Sequence, residues 1–260
     1  MPYAAIGNQQ IYFEDTGGSN PALVFSHGFL MDRTMFDANV AALRDDYRCI
    51  TWDQRGHGRT GASQEPFDYW DSARDLIGVL DTLGIASATL IGMSQGGFLS
   101  LRAALLAPQR VDRLVLIDTR SEVDAPEVLA AFRALDAEWR TNGAQHVKGN
   151  LAALLGLGNT AAGWFEKWDR IGNDELSFSI RALVERDDIT ARLAEILQPS
   201  IVIHGEEDIA IDPVHGRALA QALPGCRGIS FIPEGGHAPN MTHPEIVNAV
   251  VRQFLEGHAV

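Results

Sequence analysis

A serine between glycines stands where a short apolar run of the sequence ends. Residues 87–91 are small or apolar, and the sequence Gly-Met-Ser-Gln-Gly-Gly follows at positions 92–97, with Ser94 inside it. Three glycines in six residues would weaken any strand or helix, so a sharp strand-to-helix turn explains them better. Such a turn holds the serine hydroxyl at a helix N-terminus, where backbone N–H groups favour developing negative charge. The pattern predicts a nucleophilic Ser94, while the pentapeptide alone leaves an ordinary glycine-rich turn open.

A reactive serine needs a general base, and the base needs a carboxylate that orients it. Asp208 follows a predicted strand at residues 201–203, and His237 follows the last predicted strand. Both therefore lie on loops at strand ends, where sheets of this kind gather their functional groups. Asp118, at the end of another predicted strand, is the alternative to Asp208. The sequence predicts a catalytic set of Ser94, Asp208 and His237.

Short apolar strands that alternate with amphipathic helices carry these residues. Strands are predicted at residues 22–25, 47–52, 89–91, 114–117, 201–203 and 228–232, after a hairpin at residues 3–15. Helices are predicted at residues 68–83, 98–106 and 244–255, the last with a capping box of Thr242 and Glu245. Nearly continuous apolar strands indicate a mostly parallel sheet covered on both faces. The predicted fold class is α/β, with helices on both faces of the sheet.

The alternation of predicted strands and helices stops between residues 120 and 198. This interval is helical and rich in alanine and leucine, and it holds three of the five tryptophans. We therefore predict that residues 1–119 and 199–260 form the core and that residues 120–198 form a helical cap over Ser94. Aromatic residues of this interval are expected to line an apolar substrate pocket, namely Trp139, Trp164, Phe165 and Trp168.

Taken together, these motifs resemble those of the α/β-hydrolase superfamily. The resemblance covers the whole chain and rests on His27-Gly28-Phe29, on residues 53–58 (DQRGHG) and on Ser94, Asp208 and His237 in that order. It implies an α/β-hydrolase fold and an oxyanion hole made by the backbone N–H groups of Phe29 and Gln95. It also implies that His27, Arg55 and His57 are scaffold residues.

Within this superfamily, Ser94 excludes the branches whose nucleophile is an aspartate. The sequence resembles esterases and enol-lactonases, and it predicts a serine hydrolase that cleaves carboxylic esters through an acyl-enzyme. Lactone hydrolysis and the cofactor-free perhydrolase (haloperoxidase) reaction remain open alternatives. So do C–C bond hydrolysis and a ligand receptor built on the same fold.

Composition limits the partners and the location of the protein. The 260 residues carry a formal net charge of −13, which disfavours nucleic acids and anionic membranes as partners. Cys49 and Cys226 are the only cysteines, and the histidines show no metal-ligand spacing. No secretory signal or transmembrane run is evident. We expect a cytoplasmic enzyme for a small ester or lactone, without a cofactor or a metal; the sequence does not predict its oligomeric state.

Overall fold

An eight-stranded sheet organises the molecule, and the structure, a computed structural model, describes residues 2–257 of it. The strands follow the chain as Tyr3–Ile6 (β1), Gln9–Asp15 (β2), Ala22–Ser26 (β3), Arg48–Trp52 (β4), Ala88–Met93 (β5), Val111–Ile117 (β6), Ser200–Gly205 (β7) and Cys226–Ile232 (β8). Their order in the sheet is β1-β2-β4-β3-β5-β6-β7-β8. The pairs β1–β2 and β2–β4 are antiparallel and the other pairs are parallel. The predicted fold class is confirmed, with the hairpin turning at Gly7 and Asn8.

Helices cover both faces of the sheet. The α-helices are Asp37–Leu43 (α1), Tyr69–Thr82 (α2), Gln95–Leu106 (α3), Pro126–Asn142 (α4), Lys148–Leu154 (α5), Ala161–Trp168 (α6), Ser177–Val184 (α7), Pro213–Ala222 (α8), Pro239–Thr242 (α9) and Pro244–Leu255 (α10). Four of them, α4 to α7, lie between β6 and β7. Within residues 2–257, no helix combines the length and apolar character that a membrane crossing requires.

Side chains alternate along the central strands and so build two apolar cores. Val24 of β3 packs in the core beneath α2 and α3, whereas its neighbours Leu23 and Phe25 pack in the core beneath α1 and α10. This alternation follows from the two-residue period of a strand. Burial on both faces explains why the central strands are almost wholly apolar in sequence.

Two predicted details of the helices differ from the structure. Helix α3 begins at Gln95 rather than at residue 98, because the helix starts directly behind Ser94 with no intervening loop. Helix α10 has the predicted bounds, but no side chain caps its N-terminus. Thr242 cannot serve as that cap because it is the last residue of α9, and its hydroxyl donates to the carbonyl of Ala238 instead.

Candidate active site

Ser94 stands in a tight turn between β5 and α3. Its backbone has φ 51° and ψ −115°, a conformation that non-glycine residues rarely adopt and that functional sites hold under strain. A Cβ on Gly92 would clash with the backbone of Gly96, and a Cβ on Gly96 would clash with the carbonyl of Ser26. The two glycines are therefore required where the strand and helix approach each other most closely.

The turn presents the hydroxyl of Ser94 to His237. The Ser94 Oγ lies 3.0 Å from His237 Nε2, and His237 Nδ1 lies 2.8 Å from Asp208 Oδ2. A carboxylate only accepts hydrogen bonds, so Nδ1 carries the proton and Nε2 of the neutral ring is free to accept from the serine. A hydroxyl, an imidazole and a carboxylate in this order can transfer a proton away from the hydroxyl as it attacks an electrophile.

Asp208 is held in place by its own loop. Its Oδ1 accepts hydrogen bonds from the backbone N–H groups of Ala210 and Ile211, at 2.8 Å and 2.9 Å. Burial raises the pKa of the carboxyl, but the facing His237 and the hydrogen bonds from His204, His237 and the backbone outweigh burial and hold the pKa well below its usual value. Asp208 is therefore ionised whenever the protein is folded at neutral pH.

Asp118, the alternative acid, lies beside this set but contacts different groups. Its Oδ1 accepts from the backbone N–H of Gly205 at 2.8 Å, and its Oδ2 has no hydrogen-bond partner within the described residues. Burial, followed by the nearby Asp208 carboxylate, raises the pKa of Asp118 well above its usual value. It is Asp208 that lies at hydrogen-bonding distance from His237.

The same corner holds the one group of described residues whose donor atoms are close enough to share a metal ion. Asp118, His204 and Asp208 offer ligand atoms within 4.8 Å of one another. His204 Nε2, however, donates to the carbonyl of Ile211 at 2.8 Å, and both oxygens of Asp208 accept hydrogen bonds. Since most of these atoms already have partners, the arrangement favours a hydrogen-bonded network over a metal centre.

The loop after β3 also lies near the serine. Gly28 and Phe29 line the same cavity as Ser94. Gln95 occupies the first position of α3, where backbone N–H groups have no acceptor within the helix. Phe29 thus borders the cavity that holds Ser94, and Gln95 follows Ser94 directly in the chain.

A buried network of polar side chains supports that loop. The side chain of Gln95 donates to Gln54, and Gln54 donates through its side chain to the carbonyl of His27 and through its backbone to His27 Nε2. His27 Nδ1 lies 2.8 Å from the carbonyl of Gly28. Burial is the main cause that lowers the pKa of His27 to about 4 and that of His57 to about 3. Both rings are thus neutral at neutral pH.

An apolar cavity of about 650 Å³ opens above Ser94 and His237. Most of its lining comes from the loop after β3 and from α4 and α5, which contribute Phe29, Leu30, Met31, Val128, Phe132, Leu135, Leu151 and Leu154. Polar groups are few, with Arg120 and Asp124 among them. A cavity of this size and character accommodates a small molecule with an extended apolar part.

The four aromatic residues predicted to line this cavity do not line it, so that prediction is wrong. Trp139 and Trp168 are completely buried, and the Trp168 indole donates to the carbonyl of Leu30 at 2.7 Å. Trp164 is 5% exposed beneath the side chain of Lys167, and Phe165 packs on Trp168. These large rings pack between the helices and the core.

The cavity-lining residues of α4 were missed by the sequence analysis. Val128, Ala131, Phe132 and Leu135 recur at intervals of three and four residues, which places them on one face of the helix. That spacing is the signal that could have identified them. Arg120 has no such signal, because nothing in the sequence distinguishes it from other arginines near strand ends.

Comparisons with known proteins agree with this fold. The sequence matches the alpha/beta hydrolase fold family over residues 21–156. It is 30% identical to a 2-hydroxy-6-oxononadienedioate/2-hydroxy-6-oxononatrienedioate hydrolase from Burkholderia vietnamiensis, over 95% of this chain and 91% of that protein. Among solved structures, a thermophilic esterase from Thermogutta terrifontis is 27% identical with a TM-score of 0.88, covering 100% of this chain and 98% of that one.

A second solved structure is similar to the same degree. The enol-lactonase from Burkholderia xenovorans LB400 is 26% identical with a TM-score of 0.89, over 98% of this chain and all of that one. These relatives share a fold and a hydrolytic activity but differ in the substrates that their names give. On the family match, which spans more than half of the sequence, the chain is an enzyme of the α/β-hydrolase family.

Proposed function

We propose that the protein is a serine hydrolase that cleaves carboxylic esters through an acyl-enzyme. The observation that carries the proposal is the hydrogen-bonded series from Ser94 Oγ to His237 Nε2 and from His237 Nδ1 to Asp208, beneath an apolar cavity. The matching esterase and enol-lactonase structures support carboxylic-acid derivatives as the substrate class.

In the first half of the proposed reaction, Ser94 Oγ attacks the ester carbonyl carbon while His237 Nε2 takes the hydroxyl proton. The carbonyl oxygen becomes an oxyanion, which accepts hydrogen bonds from the backbone N–H groups of Phe29 and Gln95. The C–O bond to the alcohol then breaks, and His237 returns its proton to the leaving alkoxide. Asp208 holds the tautomer of His237 and stabilises its charged form throughout.

In the second half, water replaces the alcohol. His237 removes a proton from the water as it attacks the acyl carbon, and the proton then passes to Ser94 as the acid leaves. We propose that residues 120–198 act as a cap over this reaction and exclude bulk water. The position of α4 and α5 along the cavity supports that role.

Lactone hydrolysis is the second candidate, because the enol-lactonase structure matches 98% of the chain. The chemistry is the same except that the leaving alcohol stays attached to the acyl group. The net charge of −13 supports a small-molecule substrate over a nucleic acid in either case.

Active-site labelling tests the proposed nucleophile. A serine-directed organophosphonate should label Ser94, and Ser94→Ala should retain its fold while losing ester turnover by about a million-fold. The measurement combines peptide mapping of the adduct with hydrolysis of methyl esters of graded acyl length. Ser100→Ala, at a buried serine further along α3, is the matched control. Labelling at any residue other than Ser94, or full turnover in Ser94→Ala, would contradict the proposal.

A further inference from the structure

Two glutamine side chains are buried against each other next to the turn that holds Ser94, and the proposed reaction gives these side chains no role. Gln54 lies just after β4 and Gln95 begins α3; they are 1% and 2% exposed, respectively. A buried amide costs free energy unless its oxygen and its nitrogen find hydrogen-bond partners. Two apolar side chains could fill the same space at little cost, so stability alone does not require this pair.

A backbone carbonyl fixes how both amide groups are oriented. The carbonyl of His27 can only accept a hydrogen bond, so the side-chain nitrogen of Gln54 must face it. The side-chain oxygen of Gln54 then accepts from Gln95 Nε2 at 2.9 Å. The remaining oxygen of Gln95 accepts from the hydroxyl of Tyr69 at 3.0 Å. Reversal of either amide would bring two acceptors together, so the network has one arrangement.

The network continues through His27 to the peptide bond that precedes Phe29. The backbone N–H of Gln54 donates to His27 Nε2 at 2.9 Å, so Nδ1 of this neutral ring carries the proton. Nδ1 then donates to the carbonyl of Gly28 at 2.8 Å. That carbonyl and the N–H of Phe29 belong to one planar trans peptide group, in which they point in opposite directions. A fixed Gly28 carbonyl therefore fixes the direction of an N–H proposed to bind the oxyanion.

The other end of the network lies on the residue that supplies the second proposed donor. Gln95 follows Ser94 directly, and its own backbone N–H is the second group named in the proposed reaction. The amide of Gln54 contacts Gln95 in the turn between β5 and α3, and it contacts His27 in the loop after β3. Both partners are buried, so water does not compete for these hydrogen bonds. Gln54 thus joins the two segments that carry the proposed donors.

We propose that Gln54 is a positioning residue that holds the backbone N–H groups of Phe29 and Gln95 at the separation needed to bind one oxyanion. The inference rests on the proposed function of Ser94. Negative charge develops on the oxygen in the tetrahedral intermediate and not in the bound ester, so a displaced donor destabilises the intermediate and leaves ground-state binding unchanged. Loss of the Gln54 amide should therefore appear in kcat rather than in KM.

A pair of ketones that differ only in three fluorine atoms tests the proposal. Ser94 Oγ adds to the carbonyl carbon of 1,1,1-trifluoro-2-octanone, its proton passes to His237, and the ketone oxygen becomes an oxyanion. The carbonyl carbon of 2-octanone is less electrophilic, so this ketone binds without the addition and measures ground-state binding. The ratio of the two inhibition constants therefore measures how tightly the enzyme holds the oxyanion.

Gln54→Met keeps the length of the side chain and removes its amide. It should lower the preference for the trifluoro ketone by about ten- to a hundred-fold, because both donors remain but are no longer held in place. The value of kcat for methyl hexanoate should fall by a similar factor. KM for methyl hexanoate should change by less than about two-fold.

The matched control is Asn39→Leu, which also removes a buried amide. Asn39 is 3% exposed, and its side chain donates to Asn248 at 2.7 Å, outside the cavity lining. This variant should lose thermal stability but keep the wild-type kcat and inhibition ratio. If Gln54→Met does not fold, Tyr69→Phe decides the question, since it removes only the hydroxyl that orients Gln95 and keeps the ring packed on Phe98. It should lower kcat and the inhibition ratio by about two- to ten-fold.

Two outcomes would overturn the role of Gln54. One is a wild-type kcat and inhibition ratio in folded Gln54→Met, or in Tyr69→Phe where that variant decides. The other is equal weakening of both ketones with a matching rise in KM, because that pattern describes a reshaped cavity and not a displaced donor. In both cases the wild-type enzyme would still hydrolyse methyl hexanoate at Ser94, so the proposed function would stand. Failure of the proposed function has a different signature, in which the wild-type enzyme hydrolyses none of the methyl esters and the organophosphonate does not label Ser94.

Discussion

Asp118 and Asp208 place two buried carboxyl groups at the ends of neighbouring strands, and Asp208 is the one hydrogen-bonded to His237. Burial and the charge of Asp208 raise the pKa of Asp118, whereas the facing histidines lower the pKa of Asp208. Two carboxylates this close to each other repel, so one of them tends to keep its proton. Asp118 therefore keeps its proton to a higher pH than Asp208 does, and Asp208 keeps the charge that orients His237.

Replacement of Asp118 by asparagine should change how the free energy of unfolding depends on pH. Between the ordinary carboxyl pKa and the raised folded-state pKa, folded Asp118 keeps a proton that the unfolded chain has released, so wild-type stability falls as pH rises. The amide side chain of the variant Asp118→Asn has no such proton to lose, and asparagine also tolerates the positive φ of 43° found at this position. As the pH rises above about 4, the variant should therefore gain stability relative to the wild type.

Denaturant unfolding at several pH values provides this measurement. Asp112→Asn, on an exposed position of β6, controls for the loss of one acidic residue. If the free energy of unfolding of Asp118→Asn, relative to that of the wild type, stays constant or falls as pH rises, Asp118 is ionised in the folded protein.

Helix α4 connects the cap proposed for residues 120–198 to the loop after β3. The ring of Phe132 on α4 meets the ring of Phe29 edge to face, with centroids 6.1 Å apart. Phe29 in turn contacts the ring of His57 in the same manner at 5.9 Å. Phe132 therefore forms part of the cavity wall next to the backbone N–H proposed to bind the oxyanion.

Truncation of Phe132 should alter the preference among substrates more than it alters the reaction at Ser94. Phe132→Ala widens the cavity beside Phe29, so the ranking of methyl esters by acyl length should shift by about ten- to a hundred-fold toward bulkier acyl groups. Phe165→Ala is the matched control, because Phe165 packs on Trp168 outside the cavity. Equal acyl-length profiles for Phe132→Ala and the wild type would be incompatible with this role of α4.

The fold and the set of Ser94, Asp208 and His237 could be predicted because each depends on local sequence. Every one of these residues follows a short apolar strand, and parallel strands bring their carboxyl ends to one edge. The lining of the cavity could not be predicted in the same way. Whether Trp139 or Phe132 of α4 faces the cavity depends on how that helix is rotated against the core. That rotation is decided by packing between segments far apart in sequence.

The helices between β6 and β7 share one apolar core with the sheet. Trp139, Trp168 and Ile180 belong to the same buried cluster as Phe25 of β3 and Ile203 of β7. Polar contacts reinforce this packing: Trp168 donates to the carbonyl of Leu30, Lys167 pairs with Asp32 at 2.8 Å, and Arg102 pairs with Asp187 at 2.7 Å. A continuous core of this kind makes residues 120–198 depend on the rest of the chain for their stability.

Residues 120–198 should therefore unfold together with the sheet. In the variant Trp52→Phe/Trp70→Phe, the three remaining tryptophans all lie between residues 120 and 198, so fluorescence reports on that interval alone. Far-UV circular dichroism reports on the helices and strands of the whole molecule. The two thermal transitions should coincide, because a shared buried core cannot be opened on one side without exposing the other. A fluorescence transition at a lower temperature than the circular-dichroism transition would instead identify residues 120–198 as a domain that unfolds separately. Its contacts with the core would then be too weak to make the two parts unfold cooperatively.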